Sequence, residues 1–161
     1  NGSILFTSLT LYKTFTTSRL TPTSLGTPCT SQYQSHQLSP PFLLCPYSTH
    51  LAYTLSLLPP SLSPLSLSPS PAYQVFRHLH SSGFYITSGL KYGGDFLVYR
   101  GSPHAFHSEV IVKVVEQVGV RELVALQRVA AAAKKKLRLA FVEADQVRFV
   151  QVEIADGEVG V

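Results

Sequence analysis

Residues 72–161 predict an α/β fold, a small mixed sheet flanked by helices. Three observations carry this. Val110, Val112 and Val114 alternate with Ile111, Lys113 and Val115, as a strand buried on one face and partly on the other does. Leu123, Leu126, Ala130 and Ala133 recur at helical spacing on one face of a helix of about four turns. Glycines at 83, 89, 93 and 94 punctuate short apolar runs of strand length.

The elements follow in order. Tyr73, Phe76 and Leu79 sit at helical spacing, and Gly83 can end that helix. Phe84-Tyr85-Ile86 reads as a short strand, Gly89 to Gly94 as a turn, and Phe96 to Tyr99 as a compact apolar strand. The valine strand and the helix around Leu126 come next. Leu137, Leu139 and Phe141 alternate with Lys136, Arg138 and Ala140, and Val150, Val152 and Ile154 form a last strand facing the same core. The predicted order is α-β-β-β-α-β-β, a sheet with helices packed on it.

Residues 1–71 read differently. The first 70 hold 15 Leu, 14 Ser, 11 Thr and 9 Pro, and no Asp or Glu. They end in the low-complexity run Leu57 to Ser70, whose residue types have pyrimidine-rich codons, as a translated intron end would. There is no Met anywhere in the chain. The expectation is a segment 1–71 that is disordered or mistranslated and has no fold, followed by a folded domain 72–161. Pro59, Pro60 and Pro64 interrupt the apolar-leaning stretch Leu51–Leu67, so no span of bilayer length is expected and no membrane partner. Asn1-Gly2-Ser3 fits a glycosylation sequon with nothing else to imply secretion.

The formal charge is +4. Over 72–161 it falls to +2, eleven Lys and Arg against nine acids, so the useful basicity is local. Cys29 and Cys45 match no zinc or redox spacing. His78 and His80 lie two apart on a predicted helix and face different ways. His104 and His107 have no carboxylate cluster beside them. No metal and no cofactor are expected. Gly93-Gly94 lacks the spacing and following helix of a phosphate loop.

Three residues carry candidate chemistry. Tyr99 ends a strand, Arg100-Gly101-Ser102-Pro103 makes a turn, and His107 stands just before the next strand. Lys135 lies in Lys134-Lys135-Lys136, between a helix end and a strand. RNA cleavage by its own 2′-hydroxyl needs a base, an acid for the leaving 5′ oxygen, and a cation for the phosphorane. A histidine, titrating near pH ~6.5, suits the acid. A tyrosine becomes a usable base when a close ammonium favours its phenolate. Each residue alone has a plainer reading. Tyr99 fits a strand-edge aromatic, His107 a loop histidine, and the lysines a solvated helix end. Asp95 fits a turn-capping carboxylate better than a catalytic acid.

The run Gly89-Leu90-Lys91-Tyr92-Gly93-Gly94-Asp95-Phe96-Leu97-Val98-Tyr99 resembles the catalytic-subunit signature of the tRNA-splicing endonucleases. Lys134-Lys135-Lys136-Leu137-Arg138-Leu139-Ala140 is similar to that family's strand bearing the catalytic lysine, with Lys134 in place of the usual arginine. The resemblance covers roughly Tyr73 to Ile154. It implies a restriction-endonuclease-like catalytic domain, with catalytic residues at Tyr99, His107 and Lys135. It implies metal-independent cleavage of pre-tRNA at an exon–intron boundary, leaving a 2′,3′-cyclic phosphate and a 5′-hydroxyl. It also implies a nuclear heterotetramer with a second catalytic subunit and two structural ones, and a C-terminal strand, Val147 to Ile154, available for edge pairing. Gly101, Pro103, Phe106 and Ser108 resemble the 3′-splice-site-cutting subunit. Arg100, Ser102 and His104 depart from it, which keeps the 5′-cutting type as an alternative. Two further readings stand beside these. One is a non-catalytic structural subunit or decayed copy. The other is an RNA-binding module stacking bases on Tyr85, Tyr92 and Phe96.

Overall fold

The computed structural model describes residues 2–25, 40–59, 70–144 and 146–153. Asn1, Cys29, the tract 60–69 and Ile154 lie outside the described residues.

The second half follows the predicted order. It runs α3 (Pro71–Ser81), β4 (Tyr85–Ser88), a 3-10 turn (Leu90–Tyr92), β5 (Phe96–Tyr99), β6 (Val110–Val114), α4 (Val120–Ala132), β7 (Lys136–Glu143) and β8 (Gln146–Val152). The strands form one mixed sheet in the order β4-β5-β6-β7-β8. Only β6–β7 is parallel, because α4 carries the chain across between them. Ser70 caps α3 by accepting from the Tyr73 amide at 3.2 Å, and Pro71 takes the first helical position. Gly83, at φ +91°, lets the chain leave that helix.

The sheet buries both faces. Phe96, Val98, Val110, Val112 and Ala140 join Tyr73, Val75, Phe76 and Leu79 of α3 in one cluster. Leu97, Ile111 and Leu137 meet Leu126 and Ala130 of α4 in the other, with Tyr92, Tyr99 and Leu123 packed against them. Alternation along β5 therefore puts Leu97 and Tyr99 on the α4 side and Phe96 and Val98 on the α3 side.

The first 71 residues depart from expectation. The described parts form β1 (Ile4–Phe6), α1 (Leu9–Thr17), β2 (Thr23–Ser24), β3 (Phe42–Leu44) and α2 (Pro46–Thr54). The strands make a small antiparallel sheet in the order β1-β3-β2. Phe15, Leu20, Phe42 and Leu44 are almost fully buried and continuous with the α3-side core. The assignment of no fold to residues 1–71 is therefore corrected for 2–25 and 40–59. The reason lies in a few particular residues. Phe6, Phe15 and Phe42 form an aromatic cluster, Phe6 lying 5.3 Å from Phe15 and 5.5 Å from Phe42 between ring centroids. Thr14, Thr16 and Thr17 donate their hydroxyls to carbonyls one turn back in α1, so a threonine-rich helix leaves these groups satisfied.

This N-terminal unit grips the larger sheet. Arg19 Nη2 donates to the His80 carbonyl at 3.3 Å, and His80 Nε2 bonds the Ser18 carbonyl at 2.8 Å. Thr21 donates to the Ile86 carbonyl. Tyr47 on α2 sets its ring 5.8 Å from Phe76 and 5.7 Å from Phe96. No helix among the described residues is long and apolar enough to cross a membrane.

Candidate active site

The glycine motif builds a tight bracket between β4 and β5. Gly89 donates to the Asp95 carbonyl at 2.9 Å and accepts from Tyr92 N and Gly94 N. A Cβ at Gly89 would lie 2.7 Å from Phe96 N, so only glycine fits. Gly93, at φ +74°, closes the 3-10 turn. Asp95 is placed differently from the turn cap expected: its Oδ2 accepts from the Val114 amide of the neighbouring strand at 2.7 Å and lies 3.7 Å from Lys113 Nζ. It fastens the end of β6 to the start of β5. The bracket leaves Lys91 exposed and Tyr92 half-buried beside α4.

Tyr99 is the last residue of β5 and half-buried; Thr87 donates its hydroxyl to the Tyr99 hydroxyl at 3.3 Å. The chain then makes a loop before β6. Its base is closed by Arg100 Nε and Glu109 Oε2 at 2.9 Å, both exposed, and by Glu109 N donating to the Val98 carbonyl at 3.2 Å. Within it, the Ser102 carbonyl accepts from the Ala105 and Phe106 amides at 2.9 Å. Phe106 lies over Gly101, where a Cβ would come 2.5 Å from the ring. His107 is exposed at the loop's exit, and Ser108 is buried.

The lysine run turns from α4 into β7. Ala133 caps the helix and Lys134 takes a left-handed conformation, φ +53°. Lys134 and Lys136 are exposed, whereas Lys135 is half-buried. Lys135 Nζ donates to the Ser108 carbonyl at 2.7 Å and stands 5.6 Å from the centre of the Tyr92 ring. Burial first, and then the nearby charge of Lys91, lower its pKa below the ordinary lysine value.

All three candidates stand at one end of the sheet. Val98 pairs with Val110 and Val110 with Lys136, so one register step outward aligns Tyr99, Glu109 and Lys135 across three strands. Tyr99 packs on the α4 side with Tyr92, over which Lys135 sits. The direct link is between Lys135 and the backbone of Ser108, the residue after His107. Sequence reasoning missed that Ser108 carbonyl and the ring of Tyr92 as the lysine's two holders. The aromatic within the glycine motif was the available signal. Among the described residues no group of three His, Cys, Asp or Glu could hold a metal ion.

The family model described as "tRNA intron endonuclease, catalytic C-terminal domain" matches residues 70–149. A tRNA-splicing endonuclease of Saccharolobus solfataricus is 36% identical over 83 residues, covering 48% of this chain and 46% of that protein. Its counterpart in Saccharolobus islandicus gives the same figures. That of Methanopyrus kandleri is 39% identical over 74 residues, covering 44% of this chain and 41% of its own length. The sheet, the bracket and the loop thus belong to a nuclease-type α/β domain. Through residues 70–149 the chain belongs to the tRNA intron endonuclease family, as its catalytic C-terminal domain. The chain spans less than half the length of these curated relatives.

Proposed function

We propose that this chain is an RNA-cleaving subunit of a tRNA-splicing endonuclease, with residues 72–161 as its catalytic domain. The observation that carries the reading is the bond from Lys135 Nζ to the Ser108 carbonyl, 2.7 Å long, beside His107 and at the sheet end where Tyr99 stands.

In this mechanism the 2′-hydroxyl at the splice site attacks the adjacent phosphorus. Tyr99, as the base, takes its proton. The P–O5′ bond breaks as His107 delivers a proton to the leaving oxygen. Lys135 faces the negative charge that builds on the phosphorane. One of its three N–H groups is committed to Ser108, which leaves two for phosphate oxygens. The products are a 2′,3′-cyclic phosphate and a 5′-hydroxyl, with no metal in the chemical step. The chain would act in the nucleus, in a heterotetramer with a second catalytic subunit and two structural ones.

The 3′ splice site is the favoured cut. Gly101 and Phe106, two of the four residues behind that assignment, pack on each other and shape the loop. Arg100, which speaks for the 5′ type, is occupied by Glu109 at 2.9 Å.

The test is a reconstituted complex carrying His107→Ala, given a radiolabelled intron-containing pre-tRNA. One cut should slow about a hundredfold or more while RNA binding persists, because the acid acts only in the transition state. Chelators should have no comparable effect. Intron joined to 3′ exon should accumulate. Accumulation of 5′ exon joined to intron would reassign the chain to the other cut. Two unimpaired cuts would make it a structural subunit.

A further inference from the structure

The loop between Tyr99 and β6 is held at its base by Arg100–Glu109 and near its exit by Lys135. Its tip is held by a part of the chain that the mechanism does not use. Tyr12 Oη on α1 lies 3.1 Å from His104 Nε2, two side chains 92 positions apart in sequence. Burial raises the Tyr12 phenol's pKa, so the hydroxyl keeps its proton at neutral pH and can donate to the imidazole. The donor is itself fixed. The Tyr12 ring rests against Phe42, 4.6 Å between centroids, and Phe42 is fully buried.

Behind this bond the two parts do not close on each other. A cleft of about 230 Å³ separates α1 from the loop, lined by Thr16, Thr17, Tyr85, Ser102 and Pro103 among others. The Tyr12–His104 bond spans this gap. His107 lies three residues along from His104 in the same short loop.

We propose that Tyr12 is a positioning residue for RNA cleavage: through His104 it holds the loop that carries His107. The inference rests on the assignment of His107 as the acid. It adds that the N-terminal unit, beyond its share of the core, sets the geometry of the reacting group. A displacement of about an ångström in a catalytic group costs up to ~100-fold in rate. Loss of a single tether, with the loop's base and exit still held, should cost about tenfold.

The test uses the full chain in its reconstituted complex, with Tyr12→Phe, His104→Leu and His104→Gln. Phenylalanine keeps the ring against Phe42, so the core is undisturbed. Amide deuterium uptake in residues 100–107 should rise several-fold in Tyr12→Phe, with uptake in 42–44 unchanged. Single-turnover cleavage at saturating pre-tRNA should fall about tenfold with KM unmoved. His104→Leu should reproduce both effects, and the double variant should add little. His104→Gln, whose side-chain amide oxygen can accept from the Tyr12 hydroxyl, should restore both. Unchanged uptake in Tyr12→Phe would overturn the proposal, as would raised uptake with an undiminished cleavage rate. If His107→Ala cleaves normally, the assignment of the acid fails, and the exchange measurement still decides whether the tether exists.

Discussion

Replacing Gly94 by alanine tests why the glycine bracket is there. A Cβ at this position would lie 2.4 Å from Ile111 Cγ2 and 3.0 Å from the Val112 carbonyl oxygen. Ordinary van der Waals contact begins at 3.4 Å, so Ile111 would have to retreat by about an ångström. It has nowhere to go: Ile111 is fully buried among Leu97, Leu126, Ala130 and Leu137. The Val112 carbonyl cannot swing away either, because it accepts the Asp95 amide at 2.9 Å. Overpacking of this kind costs about 1–3 kcal/mol. Reduced freedom of the unfolded chain returns about 0.4–1 kcal/mol. The clash wins, leaving a net loss of roughly 1–2 kcal/mol.

Urea unfolding followed by far-UV circular dichroism reads this directly. With a slope of about 1–3 kcal/mol per molar, the midpoint should fall by roughly 0.5–1 M. Gly119→Ala is the control. Nothing lies within 4 Å of a Cβ there, and the residue sits at the N-cap of α4 without a side-chain bond. Its loss should stay below about 1 kcal/mol. Equal midpoints for the two variants would refute the close-approach argument for Gly94.

Asp95→Ala strips the Val114 amide of its acceptor and should cost about 1–3 kcal/mol, while Asp95→Asn, which keeps an acceptor, should cost less. Cleavage per folded molecule should stay within a few-fold of wild type in both; a hundredfold loss would make Asp95 a catalytic group after all. Lys91→Gln removes the second cause of the lowered Lys135 pKa, so Lys135 should be acetylated more slowly at a fixed, mildly alkaline pH, read by mass spectrometry; an unchanged rate would refute the coupling. In the wild type the unfolded chain binds more protons between that lowered value and the ordinary 10.5, so stability rises with pH across this window, and the rise should be shallower in the variant. Phe42→Ala should cost about 3–5 kcal/mol, because the ring is fully buried in the core shared by both halves. An unfolding midpoint that did not move would show that the N-terminal unit contributes nothing to the fold.

The C-terminal fold was legible because its faces separate cleanly in sequence. Leu97 and Tyr99 face one way and Phe96 and Val98 the other, and α4 repeats Leu126 and Ala130 one turn apart. The glycines were legible as punctuation, but not as close approaches, since Phe96 and Ile111 reach them only through strand pairing and folding of the bracket. The N-terminal fold was hidden for a different reason. Its strands β1 and β3 are three residues long, too short to show alternation, and they pair across the long stretch of chain between Phe6 and Phe42. Leucine, serine, threonine and proline dominate that half, and averaging over them conceals three phenylalanines placed to meet.

The lysine shows where a motif stops and geometry begins. Adjacent lysines are equivalent in a sequence, and neither the helical period before them nor the strand period after them extends over all three. The backbone separates them. Its left-handed turn at Lys134 ends the helix, and pairing of β7 with β6 begins at Lys136, so Lys135 alone falls at the junction. Tyr92 and the Ser108 carbonyl are waiting there, one supplied by the glycine bracket and the other by the loop after β5. The ammonium thus joins three segments distant in sequence. The loop it steadies is fastened by polar bonds at base, exit and tip rather than by buried apolar packing. Polar fastenings of this kind fix direction while leaving a loop able to tighten when a phosphate arrives, which is what the proton donor proposed for this loop would require.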